Sequence, residues 1–227
     1  MFKKIGLIVL SMVSLSIFAI DGHPQKATYE LTFNSTWSPQ THPENFPNSA
    51  HFSSLIGLTH QNDFHLWRLG DVASNGVKQT AEVGSNSKIR KEIKTAIRKN
   101  RAQYLLETSG IDSPDSIKLT FDIDQSQHYL SLISMLAPSA DWFVGIDAYP
   151  LYEKQMGWVE YAEIDLLVYD AGTKKDSPVF EYYNDREQPK KPIILVTHQD
   201  SDFKKGKPAI GQFILKRLHP ASNFKKN

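Results

Sequence analysis

Two aspartates stand where apolar runs end or begin, and carboxylates in such places can hold a cation. Asp170 closes the run in "LLVYDAGTKKDS" (166–177), and Asp141 opens one in "PSADWFVGID" (138–147). Calcium takes about six to eight hard oxygens, usually several carboxylates with backbone carbonyls and water. Loops at one end of a β-sandwich can gather such groups. The spacing alone leaves a second reading open, because aspartate also favours strand ends for its turn-forming side chain.

Other chemistry finds less support. No G-x-S-x-G elbow occurs, and the neighbours His51 and Ser53, or His60 and Asp63, are of a kind that chance produces in this composition. A hydrolase would be sought at His51, His60 and Asp63. The histidines at 23, 42, 51, 60, 65, 128, 198 and 219 include no H-E-x-x-H motif and no i, i+4 pair, so they predict polar or half-buried imidazoles rather than zinc ligands. No Walker loop or G-x-G-x-x-G is present, and nucleotide binding has no foothold. The chain has no cysteine, which excludes disulfides, thiolate metal sites and thiol catalysis.

The elements that must position the aspartates read mainly as β. "ATYELTFNSTW" (27–37) alternates, with Tyr29, Leu31 and Phe33 on one side. "SIKLTFDID" (116–124) does the same through Ile117, Leu119, Phe121 and Ile123. "HYLSLISMLAP", "DWFVGIDAYPL", "EIDLLVYD", "PIILVTHQ" and "GQFILKRL" follow, divided by turn residues. Between Trp37 and Phe52, three prolines predict an ordered loop pinned by Trp37, Phe46 and Phe52. "DFHLWRLGDVASNG" predicts a short strand and a turn closing at Asn75-Gly76. One amphipathic helix is expected near 86–107, with Ile89, Ile93, Ala96 and Ile97 as its stripe and Asn86 or Ser87 as its cap. Short strands with turn signals and one helix predict an antiparallel β-sandwich.

That helix carries Lys88, Arg90, Lys91, Lys94, Arg98, Lys99 and Arg101 against Glu92. A basic amphipathic helix can lie on anionic lipid or bind anionic polymers. The narrow aliphatic stripe favours the plainer reading, a solvated face on a core-packed helix.

Residues 1–20 pair Lys3 and Lys4 with an apolar stretch ending near Ala19, the pattern of a signal peptide. Ser11, Ser14 and Ser16 interrupt the stretch, which is short for a bilayer span. The expected organisation is a signal peptide at 1–20 and a single domain at 21–227, in a secreted, periplasmic or cell-surface protein. With no cysteine, a bacterial export route is favoured. Removing two lysines takes the formal net charge from +1 to −1, and near-neutrality argues against a nucleic-acid binder.

"SLISMLAPSADWFVG" (131–145), "GW" (157–158) and "DAGT" (170–173) together resemble the spondin N-terminal domain family. "TFNSTWSPQTHPENFPNSAHFSSLIGLTH" (32–60) and "LWRLGDVASNGVKQTAEVG" (66–84) agree in order. The resemblance covers roughly residues 27 to 218. It implies a β-sandwich resembling C2 domains, a loop-bound calcium ion and a non-catalytic extracellular role in adhesion or ligand binding. The ligand it implies is a cell-surface protein or a microbial glycan such as lipopolysaccharide. Bacterial members of that family are often stand-alone exported domains, and the resemblance implies the same here. The family's metal carboxylates carry over to Asp141 and Asp170. Lys174 stands where the family often has an acidic residue, and Asp176 takes that place only if the turn is longer. A cation beside the site predicts reduced calcium affinity. The class-different alternatives are a secreted hydrolase on the same scaffold and a self-associating surface or biofilm protein.

Overall fold

The computed structural model describes residues 24–44, 46–175, 185–197, 203 and 209–219. The first twenty residues and Asp176 lie outside them. The strands are β1 (Lys26–Ser35), β2 (His51–Phe52), β3 (Ile56–His60), β4 (Ala102–Glu107), β5 (Ile111–Asp112), β6 (Ser116–Asp124) and β7 (Tyr129–Ala137). They continue as β8 (Trp142–Pro150), β9 (Tyr152–Glu153), β10 (Gly157–Trp158), β11 (Tyr161–Asp165), β12 (Val168–Asp170), β13 (Ile194–Leu195) and β14 (Gly211–Leu218). Two helices, α1 (Asn75–Val83) and α2 (Ser87–Arg98), lie between β3 and β4. No helix among the described residues is long and apolar enough to cross a membrane.

Every pairing is antiparallel, as the alternation predicts. One sheet runs β11-β14-β1-β6, and a larger one carries β13-β12-β8-β7, with β2, β5, β3 and β4 continuing from β7. Tyr29, Leu31 and Phe33 from β1 and Phe213 and Leu215 from β14 pack against Leu130, Leu132, Leu136 and Val144 of the larger sheet. That is the sandwich core. The other face of the larger sheet presents Ile56, Leu58, Ile133 and Phe143 to Val77, Ala81, Ile89, Ile93 and Ala96 of the helices. β7 is therefore covered on both sides, which explains its near-continuous apolar sequence.

The 163–170 run, "EIDLLVYD", is divided between the sheets. β11 pairs with β14 in the smaller sheet, and β12 pairs with β8 in the larger one. Leu166 links them, exchanging backbone hydrogen bonds with Gly211 and Ile210. The proline-rich loop is pinned as expected: the Trp37 ring lies 5.2 Å from Phe46 and 6.1 Å from Phe52.

The helical region departs from expectation in three ways. Asn75-Gly76 opens α1 instead of closing a turn. Ser74 caps that helix by accepting from Val77 N at 3.1 Å, and Gly84 ends it with a left-handed φ of 63°. The 66–73 stretch forms no strand; Trp67 turns inward, donating from Nε1 to the Leu132 carbonyl at 3.0 Å. α2 ends at Arg98, and residues 102–107 form β4 on β3, because cross-strand pairing overrides helix propensity there. Asn86 sits at the cap position, but its side chain reaches Ser54 O and Glu107; Gln79 Oε1 of α1 accepts from Lys88 N instead.

β3 lies between β4 and β7 at close range. A Cβ on Gly57 would sit 2.1 Å from Ser131 O and 2.6 Å from Leu132 Cδ2. Gly57→Ala is expected to destabilise by about 2 kcal/mol, the overpacking penalty less the entropy gained in the unfolded chain. Chemical denaturation checks this; an unchanged midpoint would show that the strands can part at that point.

Candidate metal centre

Asp141 ends the tight connection between β7 and β8. Ser139 holds that connection, donating to Leu136 O at 2.6 Å and accepting from Trp142 N at 3.0 Å. The Asp141 side chain is 1% exposed. Its Oδ2 accepts from Thr173 N at 2.7 Å, Thr173 Oγ1 at 2.9 Å and Lys174 N at 2.9 Å. Its backbone carbonyl accepts from Ala171 N at 3.1 Å. Asp141 thus anchors the whole "DAGTK" turn to the end of the neighbouring strand.

Asp170 pairs across the sheet with Trp142, so the two aspartates stand at adjoining strand ends. Asp170 Oδ1 accepts from Gly172 N at 2.6 Å, an Asx turn that stops β12. Gly172 has φ of 65°, and a Cβ there would lie 2.3 Å from Lys191 O, so the turn requires glycine. A cleft of about 150 Å³ lies beside Asp170, lined by Lys174, Lys191, Pro192 and Ile194. Lys174 meets Asp141 through its backbone N–H, and it also lines the cleft beside Asp170.

Burial pushes the Asp141 carboxyl above the usual carboxylate range, against the pull of the Thr173 and Lys174 donors. The Glu82 carboxylate adds to the push. Glu82 lies on α1, a helix that the turn signal at Asn75-Gly76 does not announce. The 3–4 spacing of Val77, Thr80 and Ala81 between Ser74 and Gly84 is the signal that would have found it. Glu82 Oε1 is buried without a hydrogen-bond partner, 3.7 Å from Lys78 Nζ.

The donor set fits a hard cation in kind, since two carboxylates stand at adjoining strand ends. In number it falls short of a full shell. Among the described residues, no cluster of three or more histidine, aspartate or glutamate side chains is placed to hold a metal. Water, backbone carbonyls or Asp176 would have to complete the coordination.

The residues considered for hydrolysis are not brought together. His51 Nδ1 bonds Ser49 O at 2.6 Å, and Asp63 lies 3.6 Å from Arg101. His60 is wholly buried, with Nδ1 2.7 Å from Gln61 O and Nε2 2.8 Å from Ser131 Oγ. These partners specify the neutral tautomer, Nδ1 donating and Nε2 accepting. Burial drives its pKa down to about 4. Ser131 is equally buried and also accepts from Ala148 N at 2.9 Å, so the pair joins strands within the core.

A two-sheet sandwich whose loop ends carry Asp141 and the "DAGT" turn is the architecture expected of a spondin-type domain. The Spondin_N family model matches residues 27–207, and the chain belongs to that family. It is 39% identical over 189 residues to Spondin-1 of Homo sapiens, across 78% of this chain and 23% of that protein. Spondin-1 of Gallus gallus gives 38% over 189 residues. Spondin-2 of Homo sapiens is 33% identical over 152 residues, across 65% of this chain and 46% of that protein. The chain thus spans about a quarter of the Spondin-1 length and about half of the Spondin-2 length.

Proposed function

We propose that this chain is a secreted, non-catalytic adhesion or ligand-binding module, held in its binding conformation by a calcium ion. Family membership supports the class of module. The observation that carries the ion is the juxtaposition of Asp141 and Asp170 at paired strand ends. Asp141 and Asp170 would hold the ion, with Asp176 as a further candidate and backbone carbonyls and water completing the shell. The ion would supply charge neutralisation and would tie the β7–β8 turn to the turn after β12. The chain's own part is to place the carboxylates, and Gly172 and Thr173 do this by fixing the turn. The ligand is an extracellular or cell-surface protein or glycan.

Lys174 beside Asp170 predicts modest affinity, so millimolar calcium is the proper test. A ligand that binds only the folded state stabilises it by mass action. Millimolar calcium is expected to raise the melting temperature by about 3–6 °C over EDTA, for about 1–2 kcal/mol of linkage in a domain of this size. Asp170→Ala is expected to abolish the shift. Equal melting temperatures for the wild type in calcium and in EDTA would overturn the ion.

A further inference from the structure

The outer face of α2 is a cationic surface with little acid beside it. Its fully exposed positions are Ser87, Lys88, Lys91, Lys94 and Arg98, and Lys99 and Arg101 follow, also exposed. Lys88, Lys91, Lys94 and Arg98 recur at three- and four-residue steps, a stripe roughly 15 Å long on one side of the helix. Among the described residues, Lys88, Lys91, Lys94 and Lys99 have no ion pair. The helix's one acid is withdrawn from this face. Glu92 turns inward, accepting from Ser74 Oγ at 2.7 Å and Gly76 N at 2.8 Å. Arg90 is likewise withdrawn, onto Glu107. Like charges at i,i+3 and i,i+4 destabilise a helix, and they are gathered here on a chain of formal net charge only +1.

A second feature breaks the stripe. A cleft of about 360 Å³ opens at its C-terminal half, lined by Phe64, Lys91, Glu92, Thr95, Ala96, Lys99 and Arg101, the Glu92 carboxylate being engaged by Ser74 and Gly76. The Arg101 guanidinium stands 5.4 Å from the Phe64 ring centroid and is fixed by donating to Asp63 O at 2.8 Å. The cleft therefore joins the apolar Phe64 and Ala96 to three cations and a hydroxyl; Glu92 is bonded within the protein, and Arg101 shares its charge with Asp63 at 3.6 Å. A sugar ring with an acid substituent has the matching shape: an apolar C–H face, hydroxyls and an anion at the edge. The stripe continues the contact for further acid groups along a chain.

We infer that the α2 face and the Phe64 cleft together form a binding surface for an anionic polysaccharide. A membrane fits less well, because no fully exposed position of α2 is apolar and nothing there would enter the acyl layer. Nucleic acid fits less well, because a single aromatic ring offers no platform for successive bases. The surface goes beyond the binding role proposed above and uses none of Asp141, Asp170 and Glu82.

The test uses the full mature chain and heparin as the probe, with neutral dextran, duplex DNA and phosphatidylglycerol vesicles as comparisons. Binding to heparin is expected to weaken steeply with salt, as counterions are displaced from the polymer. The triple variant Lys91→Gln, Lys94→Gln, Lys99→Gln, altered only at exposed side chains, should lose at least tenfold in affinity with an unchanged melting temperature. Phe64→Leu keeps the apolar volume and removes the ring; it should lose several-fold for heparin and nothing for DNA. Affinity should be the same in calcium and in EDTA, so that failure of the ion and failure of this surface give different results. Absence of heparin binding at 50 mM salt, undiminished binding by the triple variant, or binding to DNA or vesicles as tight as to heparin would each overturn the inference. So would dependence on calcium.

Discussion

Asp141→Ala is expected to lower stability by about 4 kcal/mol in denaturant titrations carried out without calcium. The figure follows from three donors, the buried Thr173 N and Thr173 Oγ1 and the half-buried Lys174 N, that converge on one carboxylate oxygen. Each orphaned buried donor costs roughly 1–3 kcal/mol. The sum is reduced because the Thr173 hydroxyl can rotate and because removing the buried carboxylate also removes its desolvation penalty. Asp141→Asn keeps an acceptor oxygen and sheds the charge, so its loss should be about 1–2 kcal/mol. Both variants should lose the calcium-induced rise in melting temperature, but only the alanine should lose most of its stability in EDTA. That pattern separates the anchoring of the turn from the holding of an ion. An unchanged denaturation midpoint for Asp141→Ala would mean that the turn finds other acceptors and that Asp141 does not anchor it.

The same residue shows how far sequence could take the site. Asp141 and Asp170 are legible because each stands at the edge of an apolar run, and strand pairing brings those edges together. The three donors to Oδ2 are not legible, because they come from a turn about thirty residues away whose shape depends on Gly172 against Lys191. Strands with alternation, such as β1 and β6, are read correctly because one face meets the core and the other does not. The 60–107 stretch is read less well for two reasons. Asn-Gly is a strong turn signal, yet here Gly76 opens a helix whose N-terminus is also held by Glu92 from the next helix. Residues 102–107 favour helix locally, yet the free edge of β3 recruits them as a strand. In both cases a partner distant in sequence decides, and a local pattern carries no trace of it. Glu82 escaped notice with the helix that bears it.

Acidification between pH 7.5 and 4.5 is expected to remove about 2.5 kcal/mol of stability through His60 alone. In the folded protein the ring is buried, donating to Gln61 O and accepting from Ser131, and its pKa falls to about 4 from 6.5. The unfolded chain therefore binds the extra proton between those values, and stability falls as pH drops through 6.5, levelling off below 4. The groups facing His60 are Phe64 and Tyr129 in ring contact, with His65, Asp63 and His128 acting through charge. Asp141 and Asp147 work in the opposite sense. Burial raises both pKa values, so the folded state takes up protons first and gains as pH falls through those values. Glu107 and Glu160 are held below the usual range, and their stability is lost only as pH falls below about 4.5. His60→Gln isolates the imidazole from these other groups. At pH 7.5 the variant should be less stable by about 1–2 kcal/mol, for a disturbed buried hydrogen-bond pair. By pH 4.5 the difference should close or reverse, because the wild type alone pays for burying a group that prefers its proton. Parallel stability profiles for the two proteins from pH 7.5 to 4.5 would show that His60 does not titrate as its burial requires.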